Sequence, residues 1–139
     1  MKLSKNFTLE EMCYSSTANA RGLQNYPSQK AIDNLQKLCV EVLQPIRDKY
    51  GKAIFVNSGY RNPELNRVVG GSQSSQHITG CAADIDSSDN AKLWDMIIKM
   101  INVGEITVGQ LIWEKGDSMA PDWIHISLPY TKKNQILKL

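Results

Sequence analysis

Long apolar runs are missing from this sequence of 139 residues, and none approaches the roughly 20 residues that a membrane-spanning helix needs. The opening stretch, MKLSKNFTLEEM, also lacks the apolar segment of a secretory signal peptide. We therefore expect synthesis in the cytoplasm without a signal peptide, and no membrane partner. Action outside the cell would then require another means of release.

Clusters of basic residues are also missing. Lysine and arginine total 16 against 14 acidic residues, and the formal net charge is only +2. Aromatic residues make up 7% of the chain and are not interleaved with basic ones, so a stacking platform for bases is absent. We expect no nucleic-acid partner, and we interpret Lys132 and Lys133 as part of a solvated tail.

Cysteine is scarce and widely spaced. Cys13, Cys39 and Cys81 form an odd set without the paired spacing of a zinc knuckle, so we expect three reduced, buried or half-buried thiols. Cys81 lies four residues after His77, which raises the alternative of a cysteine–histidine nucleophile. No third group that could orient such a pair lies nearby in sequence, which disfavours thiol chemistry.

The size and composition, with 42% apolar residues, are typical of one globular domain covering residues 1–139, which we expect to be monomeric. A capping box of Thr8 and Glu11 predicts a short first helix, which the turn-forming residues of TANARGLQNYP should not continue. Helical spacing of apolar residues predicts one long amphipathic helix from Ser28 to near Gly51, kinked at Pro45.

The second half of the chain alternates helices with strands. Two further helices are predicted in NPELNRVV and in NAKLWDMIIKMIN, the latter capped by Asn90. Buried strands are predicted in AIFVNSG, CAADID, TVGQLIWE and DWIHISL, the last two antiparallel across the turn KGDSMAP. The regular alternation of a doubly wound sheet is missing, so we predict an α+β fold: a small, mainly antiparallel sheet flanked by helices.

Histidine is the scarcest chemically active residue, with only two in the chain, and both lie close to predicted strands. His77 is seven residues before Asp84, a carboxylate among small and apolar residues, and Gly80 permits a sharp turn between them. An unpaired carboxylate in an apolar strand costs several kcal/mol, so Asp84 must meet a cation or lose its charge, and a zinc ion would supply that cation. With His125, these residues form a standard three-ligand set for catalytic zinc.

The stretch SGYRNPELNRVVGGSQSSQHITGCAADID, together with WIHIS, closely resembles the M15 family of zinc D,D-carboxypeptidases and L-alanyl-D-glutamate endopeptidases, which includes phage endolysins. The Ser-x-His, Gly, Ala and Asp-Ile pattern and the later Trp-x-His follow the family's two metal motifs in order, and the resemblance extends from about Phe7 to Ser127. It implies a fold like that of Hedgehog domains and DD-peptidases, with one zinc ion bound by His77, Asp84 and His125.

The resemblance implies a zinc peptidase that hydrolyses a peptide bond in peptidoglycan stem peptides or another peptide containing D-amino acids. The cell wall would be reached after release, as in phage or prophage lysis. The alternative is a non-catalytic, zinc-stabilised module that binds peptide or cell wall, like the Hedgehog domains of the same fold. Such a module would keep the three ligands but lose the base and the arginine; this chain keeps Arg61 and two candidate acids.

Two acids are candidates for the general base. Asp122 precedes His125 by three residues, in the turn APD, where endopeptidases of the family carry an acidic residue. Glu114 ends the strand QLIWE, and related sequences without an acid before Trp-x-His keep a glutamate of this kind. We prefer Asp122 on sequence grounds, with Glu114 as the competing assignment.

Arg61, in SGYR, is the candidate that contacts substrate: its planar fork of donors suits a substrate carboxylate or a developing oxyanion. Ser75 lies two residues before a ligand and could hydrogen-bond substrate, although alone it is an ordinary loop serine. Tyr60 is a further candidate for substrate binding. Tyr60 and Trp123 can each be interpreted as a wall of the cleft or as part of the core.

Overall fold

The computed structural model describes residues 1–130 and 132–139. Its α-helices are α1 (Leu9–Cys13), α2 (Ser16–Arg21), α3 (Gln29–Leu38), α4 (Gln44–Tyr50), α5 (Pro63–Val68) and α6 (Asn90–Asn102). Its strands are β1 (Lys2–Ser4), β2 (Phe7–Thr8), β3 (Phe55–Ser58), β4 (Ala82–Asp86), β5 (Gln110–Glu114), β6 (Trp123–Ser127) and β7 (Gln135–Lys138). A π-helical turn spans Cys39–Leu43, and a 3₁₀ helix spans Gln76–Thr79.

Strands β3 to β7 form one sheet in the order β3-β4-β6-β5-β7. All neighbours are antiparallel except β5 and β7, which run parallel. The α+β prediction with a mainly antiparallel sheet is confirmed, as is the antiparallel pairing of β5 with β6. Strand β7 follows the predicted lysine tail and was not expected; Lys132 and Lys133 are exposed, but the chain continues into the sheet edge.

The predicted long helix is helical from Gln29 to Tyr50, capped at its start by the Ser28 side chain and ended by Gly51 at φ +73°. A π-helical turn ends at Leu43, two residues before Pro45, where a kink was predicted; the kink itself stays a prediction. Proline lacks the N–H that an α-helix interior needs, and a π turn is one way for a helix to absorb that loss.

Two local predictions are wrong, and one helix was not predicted. As expected, α1 is not continued by the segment that follows it, but that segment forms a separate helix, α2, which the Ser15 hydroxyl caps at Ala18 N–H and which ends at Gly22 after six residues. The cap of α6 is Asp89, whose carboxylate accepts from Lys92 N–H. Strand β3 is an edge strand with Phe55 58% exposed, not a buried strand.

The hydrophobic core lies between one face of the sheet and the helices α3, α4 and α6. Alternate residues of the central strands enter it: Ala83, Ile85, Leu111, Trp113, Ile124 and Ile126. The capping box of Thr8 and Glu11 is present as predicted, and it starts the short helix that packs Met12 into the same core. No helix among the described residues is long and apolar enough to cross a membrane.

All three cysteines are free thiols, as predicted. Burial raises the pKa of Cys13 to about 11 and that of Cys39 to about 12, so both thiols stay protonated at neutral pH. A protonated, buried thiol is a poor nucleophile and behaves as a small apolar side chain.

Candidate active site

The register of the sheet brings Asp84 and His125 together. Asp84 on β4 lies directly opposite His125 on β6, and directly opposite residues of an antiparallel pair carry their side chains on the same face. His125 Nδ1 lies 2.9 Å from Asp84 Oδ1. Both side chains therefore occupy the face of the sheet that is turned away from the core.

His77 reaches the same carboxylate from the 3₁₀ helix. Gly80 follows that helix at φ +77°, and a Cβ there would lie 2.6 Å from the Ala31 carbonyl oxygen, so the turn into β4 requires glycine. His77 Nε2 lies 3.3 Å from Asp84 Oδ1, and the rings of His77 and His125 are 5.2 Å apart between centroids. The two histidines thus flank one carboxylate.

The hydrogen bonding of His77 leaves one nitrogen free for a cation. Its Nδ1 lies 2.7 Å from the Gly59 carbonyl oxygen, which only accepts, so Nδ1 carries a proton and donates. In the neutral ring Nε2 then presents a lone pair to Asp84 Oδ1. Two lone pairs facing each other repel, and a cation between them removes that repulsion.

The ionisation of Asp84 also suits a cation. Burial favours the neutral acid, but the hydrogen bond from His125 and the adjacent His77 ring outweigh burial and hold the pKa of Asp84 well below its usual range. The candidate ligand atoms of His77, Asp84 and His125 all lie within 4.8 Å of one another. Two imidazole nitrogens and one carboxylate oxygen are a donor set that fits zinc and leaves a coordination position open.

The three residues lie in a cleft of about 340 Å³ between the loop before His77 and the exposed face of β5 and β6. Glu114, Ile112 and Trp123 line its sheet side, and Arg61 and Ser75 line its loop side. Ile112 pairs with His125 across the sheet, so Glu114, two residues further along β5, shares the face of the candidate ligands. In the part of the chain that the structure describes, Glu114 makes no side-chain hydrogen bond or ion pair, so its carboxylate is available to a ligand.

The other predicted acid lies elsewhere. Asp122 is exposed, precedes β6 and does not line the cleft. Its backbone N–H donates to the Glu114 carbonyl, and its carbonyl accepts from Asn90 Nδ2; within residues 1–130 and 132–139 its side chain has no hydrogen bond or ion pair. Tyr60 is 6% exposed and belongs to the hydrophobic core, outside the cleft. Trp123, the other aromatic residue with two interpretations, is a wall of the cleft.

Arg61 is held in position but keeps free donors. Its Nε donates to Asn66 Oδ1 at 3.1 Å, and its Nη atoms make longer contacts of 3.5 Å to Ser58 Oγ and 3.4 Å to Ser75 Oγ. Burial lowers the pKa of Arg61, while the charge of Asp84 opposes that shift. A guanidinium has five N–H donors and stays charged near neutral pH, so Arg61 can still bind an anion in the cleft.

Two asparagines that position Arg61 were missed by the sequence reasoning. Asn66 is 2% exposed and bridges Arg61 to the Ser72 carbonyl, which it reaches at 2.8 Å. Asn25 donates to the Tyr60 carbonyl and accepts from Asn62 N–H, thereby fixing the backbone on both sides of Arg61. Asn25 and Asn66 lie on separate segments, so no sequence spacing links them to Arg61. Only Asn66 could have been suspected, because a polar residue on the buried face of a short helix needs a hydrogen-bond partner.

The comparison with known families covers most of the chain. The sequence model described as Peptidase M15 matches residues 5–127. No curated protein matches the chain. The matched region contains the three candidate ligands and every residue of the cleft named above. Membership implies peptidase activity on a peptide substrate, and it agrees with the convergence of two histidines and an aspartate in a cleft: the chain belongs to the peptidase M15 family.

Proposed function

We propose that the protein is a zinc metallopeptidase that hydrolyses a peptide bond in peptidoglycan stem peptides, as a D,D-carboxypeptidase or an L-Ala-D-Glu endopeptidase. The observation that carries the proposal is the arrangement of the cleft. A candidate ligand set of His77, Asp84 and His125 shares the cleft with Glu114, an acid without a side-chain partner among the described residues, and with Arg61, a cation that keeps free donors. The sequence resemblance around the two metal motifs supports the choice of substrate.

The three candidate ligands would hold one zinc ion per chain. When bound, zinc would supply Lewis acidity, which activates water and polarises the carbonyl of the scissile bond. The Gly59 carbonyl fixes the tautomer of His77, as partners of ligand histidines commonly do. The negative charge of Asp84 offsets part of the charge of the cation.

Glu114 is proposed as the general base. Its carboxylate would accept a proton from the attacking water and then deliver it to the departing amine nitrogen, which must be protonated as the C–N bond breaks. This role requires an acid in the cleft that has no other partner, and Glu114 fits that requirement. Asp122 is less favoured for this role, since it is exposed and is not among the residues that line the cleft.

Arg61 is proposed to bind the substrate. Its free N–H groups would receive a substrate carboxylate or the negative charge that develops on the carbonyl oxygen. Ser75 accepts from both Arg61 Nη2 and His77 N–H, so it connects the binding residue to the candidate ligand. Movement of this loop would therefore alter both groups.

Mass spectrometry of purified muropeptides tests the proposal. The zinc-loaded protein should convert a muropeptide into two products whose masses identify the cleaved bond, and a chelator should stop the reaction while a thiol alkylator should not. Zinc content should be about one ion per chain. Zinc and muropeptide binding without products would identify the non-catalytic module instead, and loss of activity on alkylation would point to Cys81.

A further inference from the structure

A second and larger groove adjoins the cleft. It has a volume of about 650 Å³ and lies between the start of α3 and the 3₁₀ helix, and Tyr130 also lines it. Ser74, Ser75 and Gln76 line both the groove and the cleft. The two spaces are therefore separated by a single loop, the same loop that leads into His77.

The groove has an apolar floor and a hydrogen-bonded rim. Ala31 and Cys81 in the floor are 2% and 4% exposed. Along the rim, Asn34 Nδ2 donates to the Thr79 carbonyl at 2.9 Å, and the Tyr130 hydroxyl donates to Asn34 Oδ1 at 3.3 Å. These bonds tie α3, the 3₁₀ helix and Tyr130 together, so the shape of the groove is held by the fold.

The charge of the groove is positive. Lys30 lines it, and Lys37 Nζ lies 5.4 Å from the centroid of the Tyr130 ring beside it. Neither lysine forms an ion pair with a described residue, and no aspartate or glutamate is among the residues that line the groove. A ligand that complements this surface carries negative charge and enough apolar surface to cover the floor.

The size of the cleft explains why a second binding region is useful. Ligand sites usually measure about 300–1,000 Å³, and the cleft is near the lower end of that range. An extended peptide substrate that continues beyond the cleft meets the groove on the other side of the shared loop. Binding energy gained away from the reacting bond can help to place that bond.

We propose that the groove binds a carboxylate-bearing segment of the peptide substrate next to the scissile bond, with the carboxylate at Lys30 and the chain against Tyr130. The inference rests on the proposed function, since D-glutamate in one of the two candidate reactions supplies such a carboxylate. It adds a preference: substrates with a free carboxylate in this segment bind more tightly than the same substrates with an amide there.

Binding measurements on an inactivated protein test this inference. In a Glu114→Gln background, calorimetry gives the Kd of two muropeptides that differ only in a free or amidated carboxylate. Lys30→Glu should raise the Kd of the free acid about tenfold, because the substitution removes the attraction of an exposed charge pair and adds repulsion between two carboxylates. The Kd of the amide should rise less than about twofold, because the amide carries no charge at this position. Lys52→Glu, an exposed lysine beyond the far end of α4, is the matched control and should change neither.

Each outcome decides the inference. Equal Kd values for the two muropeptides, equal shifts for Lys30→Glu and Lys52→Glu, or no binding to the Glu114→Gln parent would overturn it. Cleavage by the active protein is measured separately. If the active protein cleaves the muropeptide but Lys30→Glu leaves the Kd unchanged, only the proposed role of the groove is rejected. If binding depends on Lys30 but the active protein cleaves nothing, only the proposed peptidase reaction is rejected.

Discussion

The two faces of the five-stranded sheet are built from the same strands and have opposite compositions. On the inner face, the residues of β4, β5 and β6 are all apolar and belong to the core: Ala83, Ile85, Leu111, Trp113, Ile124 and Ile126. On the outer face, the alternate positions of these strands include the residues of the cleft: Asp84, Gln110, Ile112, Glu114, Trp123 and His125.

The difference shows how one feature, strand alternation, produces both stability and a candidate site. Packing of the inner face determines the register, because a slip of one residue would turn Ile85 outward and Asp84 into the core. That same register places Asp84 opposite His125. The inner face keeps its positions through apolar burial, whereas the outer face contains groups whose charges need partners.

The largest effect is expected from Asp84→Asn, which removes charge from the outer face without changing its shape. The variant should lose bound zinc and all measurable peptidase activity, because a neutral amide cannot offset the cation. Metal analysis and muropeptide cleavage measure both. Asp86→Asn, two residues along the same strand and outside the cleft, is the control and should keep its zinc. Full zinc occupancy in Asp84→Asn would remove Asp84 from the ligand set.

The second prediction separates the two acids. Glu114→Gln should lower kcat about 10³-fold with zinc retained, as expected for loss of a general base. Asp122→Asn should change kcat by no more than about twofold, since it is a surface substitution outside the cleft. Steady-state kinetics on the identified muropeptide provides the comparison. The reverse pattern would assign the base to Asp122.

The third prediction concerns the inner face. Ile85→Ala should reduce the free energy of unfolding by about 3 kcal/mol, because the fully buried Ile85 side chain leaves a cavity in the core when it is truncated. Its kcat/KM per folded molecule should be close to that of the parent. Urea unfolding of the metal-free protein measures the loss. Ile136→Ala on β7, where the side chain is 42% exposed, should cost much less, and equal losses would contradict the assigned faces.

The fourth prediction tests whether Asn66, which lies outside the sheet, positions Arg61 in the cleft. Asn66→Ala should lower kcat/KM about tenfold with zinc retained, because Arg61 loses the acceptor of its Nε proton. If Asn66 acts through Arg61, the same substitution should have little further effect in an Arg61→Ala background. Additive losses in this double-mutant cycle would show that Asn66 only stabilises the fold.

The smallest effect is expected from the thiol of Cys39, a titratable group in the hydrophobic core, on the pH dependence of stability. The pKa of Cys39 is raised by burial from 9.0 to about 12, so above pH 9 the unfolded chain loses this proton while the folded protein keeps it. Stability should then fall as pH rises above about 9, by about 1 kcal/mol per pH unit from this group. Chemical unfolding between pH 8 and 10.5 should show a shallower decline for Cys39→Ala. Identical slopes would place Cys39 in a polar environment.

The sequence was sufficient for features that depend on local pattern. Apolar spacing predicted the helix that begins after Ser28, and turn residues located the break between β5 and β6. The α6 cap was misplaced by one residue because Asp89 and Asn90 are both good caps, and the structure uses Asn90 to hold Asp86 and the turn before β6 instead. Strand β7 was missed because its pairing with β5 is parallel and depends on a neighbour more than 20 residues away.

The sequence by itself determined the α+β class, the alternation of the strands, the reduced state expected of the thiols and the three residues able to hold a metal ion. Only the tertiary structure decided which remaining residues share their cleft. It places Glu114 there, leaves Asp122 in solvent, buries Tyr60 and brings Asn66 to Arg61. Periodicity is a local property that neighbouring residues encode, whereas proximity between β5, β6 and the loop before His77 depends on sheet register and core packing.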